Sequence, residues 1–92
     1  MKWEKFDLGK NMKEDLLETA KNDNYKFQAQ IIKKVHIYGE RLFGDFDIIL
    51  TVFQLNSNNV ETFKIIGLNG NFKGAKKQLI KLKEKALIKY SV

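Results

Sequence analysis

Lysine is the residue type best placed to do chemistry in this chain, and its distribution says what kind. The stretch Asn71 to Tyr90, NFKGAKKQLIKLKEKALIKY, carries Lys73, Lys76, Lys77, Lys81, Lys83, Lys85 and Lys89 against a single acid, Glu84. The first seventy residues hold ten bases and ten acids, so the whole formal charge of +6 is concentrated in this one segment. Charge gathered on one element points to a polyanionic partner more directly than charge spread over a surface. Lys73, Lys76 and Lys77 stand at the head of the stretch. If it is helical, the positive dipole end and the free N–H groups add to their attraction for phosphate.

Other chemistries have less to work with. His36 is the only histidine and has neither Cys nor Ser in local range for a nucleophile–base pair, so it reads as a surface residue or a phosphate contact. Asp45, Asp47 and Glu61 are the acids from which an oxygen-rich Mg²⁺ site of a nuclease would be built, but such acids also serve as edge solubilisers or lysine partners. No Walker loop, dinucleotide-binding glycine pattern or histidine-based zinc motif occurs. The expectation is a protein that is not an enzyme, with no cofactor and no metal. The absence of cysteine excludes disulfides and thiolate metal sites and suits a reducing compartment.

The elements that must position the lysines follow from periodicity. At about 100° per residue, Phe72, Ala75, Leu79, Leu82, Ala86 and Tyr90 fall on one stripe, while Lys73, Lys77, Lys81, Lys85 and Lys89 form an i, i+4 ladder facing away. The same pattern fits the solvated face of a lysine-rich helix. From Tyr25 to Tyr38 the period is two, with Tyr25, Phe27, Ala29, Ile31, Val35 and Ile37 on one face, interrupted once at Lys33, and Lys26, Gln28, Gln30, Lys34 and His36 on the other. Gly39 to Gly44 reads as a loop with Arg41, Leu42 and Phe43 at its tip. A second strand is expected over Phe46–Leu55, apolar on both faces, then a turn at Asn56 to Asn59 and a third strand over Val60–Leu68. Upstream, Asn11 with Glu14 resembles a capping box, and Met12, Leu16, Leu17 and Ala20 form a narrow stripe, predicting a first helix over Met12–Lys21 that ends at Asn22-Asp23-Asn24. Trp3 is expected to staple the N-terminus to the core.

These elements give an α+β fold of order α-β-β-β-α: a three-stranded antiparallel sheet with both helices on one face and Phe27, Ile31, Leu79 and Leu82 in the shared core. Gly70, then Lys73-Gly74-Ala75-Lys76, then Leu79 and Ile80 resemble the signature of the double-stranded RNA-binding domain, where a glycine-containing turn leads into a lysine-rich helix head. The resemblance implies phosphate contacts from Lys73 and Lys76, with Lys77 as a helper and groove contacts from the first helix and the loop between the first two strands. Phe72 stands where that family has its first lysine. The Gly39–Gly44 loop lacks the family's Gly-Pro-x-His and offers only Arg41. With both helices on one face, the opposite face would present Lys26, Gln28, Gln30, Lys34 and His36, in outline similar to the sheets with which the arm-binding domains of some integrases enter a DNA groove.

The sequence therefore predicts a single domain over residues 1–92 that binds nucleic acid, double-stranded RNA or DNA, through Lys73, Lys76, Lys77 and Lys81, with Arg41, Lys34 and Lys26 as further contacts. The rival expectation is a protein-interaction module, an inhibitor or accessory protein docking on an acidic partner with these lysines or through Leu42 and Phe43. No apolar run has the length of a membrane span, so the expected setting is cytoplasmic and free of the membrane. Membrane-surface binding by the basic helix ranks third, because the core claims its apolar stripe.

Overall fold

The computed structural model describes residues 1–8 and 14–90. Five strands, β1 (Glu4–Lys5), β2 (Leu16–Lys21), β3 (Tyr25–Tyr38), β4 (Arg41–Gln54) and β5 (Val60–Leu68), form one antiparallel sheet in the order β1-β2-β3-β4-β5, and one helix, α1 (Phe72–Tyr90), follows. The expected α-β-β-β-α order with a three-stranded sheet and two helices is thus corrected to a five-stranded meander and one helix. Among the described residues, no helix is long and apolar enough to cross a membrane.

The first helix is where expectation and structure part. Asn11 and Met12, which would have opened it, lie outside the described residues. Leu16–Lys21 is a strand in register with β3, from Leu16↔Ile31 to Lys21↔Lys26. Leu16, Glu18 and Ala20 alternate onto the helix-covered face. Leu16 and Ala20 are buried, and the polar position between them is satisfied by Lys83 of α1. The acids read as first-turn helix charges instead serve the neighbouring strand: Glu14 pairs with the Lys33 ammonium at 2.8 Å, and Asp15 Oδ1 accepts the Lys33 N–H at 2.7 Å. Asn22 does make the expected turn, its Oδ1 accepting the N–H groups of Asn24 and Tyr25, but the turn joins two strands.

The remaining core follows the expected parity. Phe27, Ala29 and Ile31 of β3 and Ile48, Leu50 and Val52 of β4 are buried with Ala75, Leu79 and Ala86 of α1, and Leu82 packs against them partly buried. Trp3 does reach this core, its ring 6.2 Å from that of Phe27. The helix runs along the sheet from Phe72 beside Phe46 to Tyr90 beside Tyr25.

The segment Gly39–Gly44 is not a loop: only Gly39 and Glu40 turn, and pairing resumes at Tyr38↔Arg41. Gly39 takes φ 62° while Glu40 does not have positive φ, the combination a two-residue type II′ turn requires. β2 ends opposite Ile31, and β5 ends opposite Phe46. Beyond them β3 and β4 continue alone as a two-stranded arm of about 20 Å at the usual rise per residue. The arm helps to make the molecule long, 49 × 23 × 23 Å. At its root β5 carries an extra residue between the Ile48↔Ile65 and Phe46↔Leu68 pairs. Gly67 (φ 70°) supplies the left-handed backbone of this bulge and donates its N–H to Asp47 Oδ1 at 3.0 Å.

A candidate anion-binding interface

The helix ladder forms as expected. Ala75, Leu79 and Ala86 turn inward, while Lys73, Lys76, Lys77, Lys81, Lys85 and Lys89 are exposed. Asn71 caps the helix, its Oδ1 accepting the Gly74 N–H at 2.8 Å. The first turn holds no acid, so the positive end of the helix dipole lies beside Lys73 without a compensating carboxylate.

The decisive property of this face is which charges are left over. Among the described residues ion pairs join Glu14 with Lys33, Asp47 with Lys34, Asp45 with His36, Glu18 with Lys83 and Glu61 with Lys89. Each ties down a cation of the sheet, of the buried flank of α1 or of its last turn. Lys83 also lies 4.3 Å above the Trp3 ring, packed into the seam between helix and β1. Lys89 and the Tyr90 hydroxyl both donate to Glu61, whose carboxyl is held below its usual value first by Lys89 and then by Tyr90. In return the Tyr90 phenol is pushed up, chiefly by its bond to Glu61. Lys73, Lys77 and Lys81 have no carboxylate within ion-pair distance among the described residues, while Lys76 and Lys85 rest over the Phe72 and Phe63 rings at 5.0 and 5.8 Å. The result is a row of cations along the outside of α1 that the protein itself does not neutralise.

The other residues singled out by sequence lie on the opposite, open face of the sheet. Lys26 is exposed at the far end of β3, opposite Lys21, and the two line a recess of about 360 Å³ with Lys2, Glu4, Thr19 and Ala20. Lys34 lies on the arm, bonded to Asp47, which is only 4% exposed. That bond and the Gly67 N–H hold the Asp47 carboxyl below its ordinary value, and Asp47 in turn raises the Lys34 ammonium above its own. Asp45 Oδ2 accepts from His36 Nε2 at 2.9 Å and the imidazole stacks on Phe43, so the arm's polar side chains are largely engaged with one another. Arg41 is exposed beside the turn. The structure therefore brings Lys73, Lys76, Lys77 and Lys81 together and sets Lys26, Lys34 and Arg41 apart from them on the other face.

The acids considered for Mg²⁺ are also separated: Asp45 and Asp47 face the open side near the arm, while Glu61 sits under the end of α1. No group of three or more histidines or acids suited to a metal ion occurs among the described residues. Sequence reasoning missed the arm and its exposed Val35, Ile37, Tyr38 and Phe43, for which the alternation that resumes at Val35 after its interruption at Lys33 was the available signal. No family model matches the chain, and no curated protein or solved structure matches it significantly.

Proposed function

We propose that the protein binds nucleic acid through the outer face of α1, with Lys73, Lys77 and Lys81 as the central phosphate contacts and Lys76 and Lys85 flanking them. The observation that carries this reading is the segregation of charge: ion pairs neutralise cations elsewhere and leave this ladder bare. Repulsion along an i, i+4 row of lysines costs a few tenths of a kcal/mol per pair, and a phosphate chain relieves it. The lysines recur every ~6 Å along the axis, so one face follows a polyanion rather than enclosing a single ion. A reading as a dock for an acidic protein is favoured by one observation, that Ile80 and Ile88 are exposed on the same face at 53% and 86%.

The test is a titration of labelled duplex DNA, double-stranded RNA and single strands at two salt concentrations. Neutralising about four phosphates predicts a log–log slope of about −3.6 and a drop of roughly a hundredfold in affinity between 50 and 200 mM salt. Replacing Lys73, Lys76 and Lys77 together by glutamine is expected to weaken binding at least ~10-fold and to lower the slope by up to ~1 for each phosphate no longer neutralised, while Lys89→Gln, already paired with Glu61, changes little. A folded triple variant that binds like wild type overturns the reading. A wild type that ignores all nucleic acids but binds acidic peptides transfers the face to the protein-docking reading.

A further inference from the structure

We propose that the protein self-associates as a two-fold dimer through the free outer edge of β4 in the arm, a second copy adding its own β4 edge antiparallel to the first. This rests on the arm alone and not on the nucleic-acid reading. From Arg41 to Asp45 no strand among the described residues lies beyond β4, because β5 pairing begins at Phe46. The two-residue turn makes Tyr38 and Arg41 a hydrogen-bonded pair, so Arg41, Phe43 and Asp45 spend their backbone groups on β3. Leu42 and Gly44 then aim their N–H and C=O groups outward, the template on which another strand adds.

The β4 edge carries charges of its own, Arg41 and Asp45, which become complementary only when the strand meets a second copy. The β3 edge is closed at the root of the arm, at Lys33, by the Asp15 carboxylate and the Glu14 ion pair, and its further stretch Lys34 to Tyr38 lacks the charge complementarity that β4 offers to its own copy. The β5 edge carries Lys64 and is broken by the Gly67 bulge. The segment Arg41-Leu42-Phe43-Gly44-Asp45 is moreover its own complement about Phe43. Antiparallel pairing centred there sets Leu42 against Gly44 of the second copy, exchanging backbone hydrogen bonds, and sets Arg41 against Asp45 of the second copy, twice. Arg41, Phe43 and Asp45 share the open face, so the charge pairs flank two Phe43 rings that are each half exposed in the single chain. Arg41 has no ion-pair partner among the described residues, and Asp45 Oδ1 is buried without a hydrogen-bond donor. Because the two-fold axis stands perpendicular to the shared sheet, both α1 helices lie on the same side.

The chain has no cysteine, so Phe43→Cys introduces a single thiol on the proposed axis. Oxidation is expected to cross-link most of this variant into a covalent dimer while Thr62→Cys, on β5 away from the arm, stays largely monomeric. By sedimentation, wild type is expected to dimerise with concentration, and Arg41→Glu or Asp45→Lys alone to abolish the dimer through like-charge repulsion. Mixing these two variants makes both flanking pairs opposite in sign and restores a heterodimer. The proposal is overturned if wild type remains monomeric at ~0.5 mM, where a specific dimer must be populated. It is equally overturned if Thr62→Cys cross-links as readily as Phe43→Cys, or if the mixture of two folded variants stays monomeric.

Discussion

Replacing Asp47 tests how the arm is joined to the sheet. Asp47 is the one buried charged side chain among the described residues, and it serves two neighbours: Oδ1 accepts the N–H of Gly67 in the β5 bulge at 3.0 Å, and Oδ2 holds the Lys34 ammonium. Asp47→Ala leaves the Gly67 N–H without its acceptor, at a cost of about 1–3 kcal/mol. Lys34 is half exposed and can turn to water, so the removal of its partner adds little. For a domain of 92 residues this lowers Tm by roughly 10 °C, since ~1 kcal/mol corresponds to about 4–8 °C. Asp47→Asn keeps an oxygen for Gly67 and forfeits only the attraction to an exposed ammonium, so a drop of a few degrees is expected.

Acidity separates the two effects. The folded Asp47 carboxyl titrates below its unfolded value because Lys34, then Gly67, favour the charged form against the opposing effect of burial. Its charge therefore stabilises fully above the unfolded pKa of about 3.9, and that stabilisation disappears as pH falls through the lower folded value. Thermal melts followed by circular dichroism from pH 7 to pH 3 should show the gap between wild type and Asp47→Asn closing on acidification. The deficit of Asp47→Ala persists, because a protonated carboxyl still accepts the Gly67 N–H. An asparagine variant as damaged as the alanine one, or a gap that widens in acid, would refute the assignment of Asp47 as the anchor of the bulge.

Two further outcomes follow from the register and the helix end. Phe27 and Lys26 are adjacent on β3 but face opposite ways, so chemical denaturation should show Phe27→Ala costing about 3–5 kcal/mol and Lys26→Ala less than ~0.5; comparable costs would mean the strand register is wrong. Tyr90 titrates above its usual value because of Glu61, so the stability that its protonated form provides is full below about pH 10 and disappears as pH rises through the folded pKa. Tyr90→Phe should therefore melt below wild type at neutral pH with the difference vanishing in alkali, and a difference that grows in alkali contradicts the Tyr90–Glu61 bond.

What the sequence disclosed of the fold depended on whether a segment's partners were local. Tyr25 to Tyr38 alternates over fourteen residues with one interruption at Lys33, longer than a competing period tolerates, and the stripe of α1 repeats through five turns, so both were legible. Leu16 to Lys21 is six residues, and over so short a span Leu16, Leu17 and Ala20 fit a helix as well as Leu16, Glu18 and Ala20 fit a strand. The deciding neighbours were distant: Ile31 and Phe27 across the ladder, and Lys83 for Glu18. Gly39 and Gly44 were read alike as loop boundaries although only Gly39 turns the chain. Gly44 lies within β4, where a Cβ would meet the Lys33 side chain at 3.0 Å, so its small size serves a cross-strand approach.

The same distinction governs the interface. That Lys73, Lys77 and Lys81 share a face is a property of helical spacing and could be read from the chain alone. That they are uncompensated is not, because it depends on where ten earlier acids come to rest. Glu18 reaches Lys83 across sixty-five positions, and Glu61 reaches Lys89 across twenty-eight. A count of charges treats all seven lysines of the last segment as equals, whereas folding removes Lys83 to the seam with Trp3 and ties Lys89 to Glu61. The fold therefore narrows an even run of charge to a bare ladder on the outer helical face. The contrast between Lys77 and Lys89, equivalent in sequence and opposite in expected effect on binding, is where that argument can be broken.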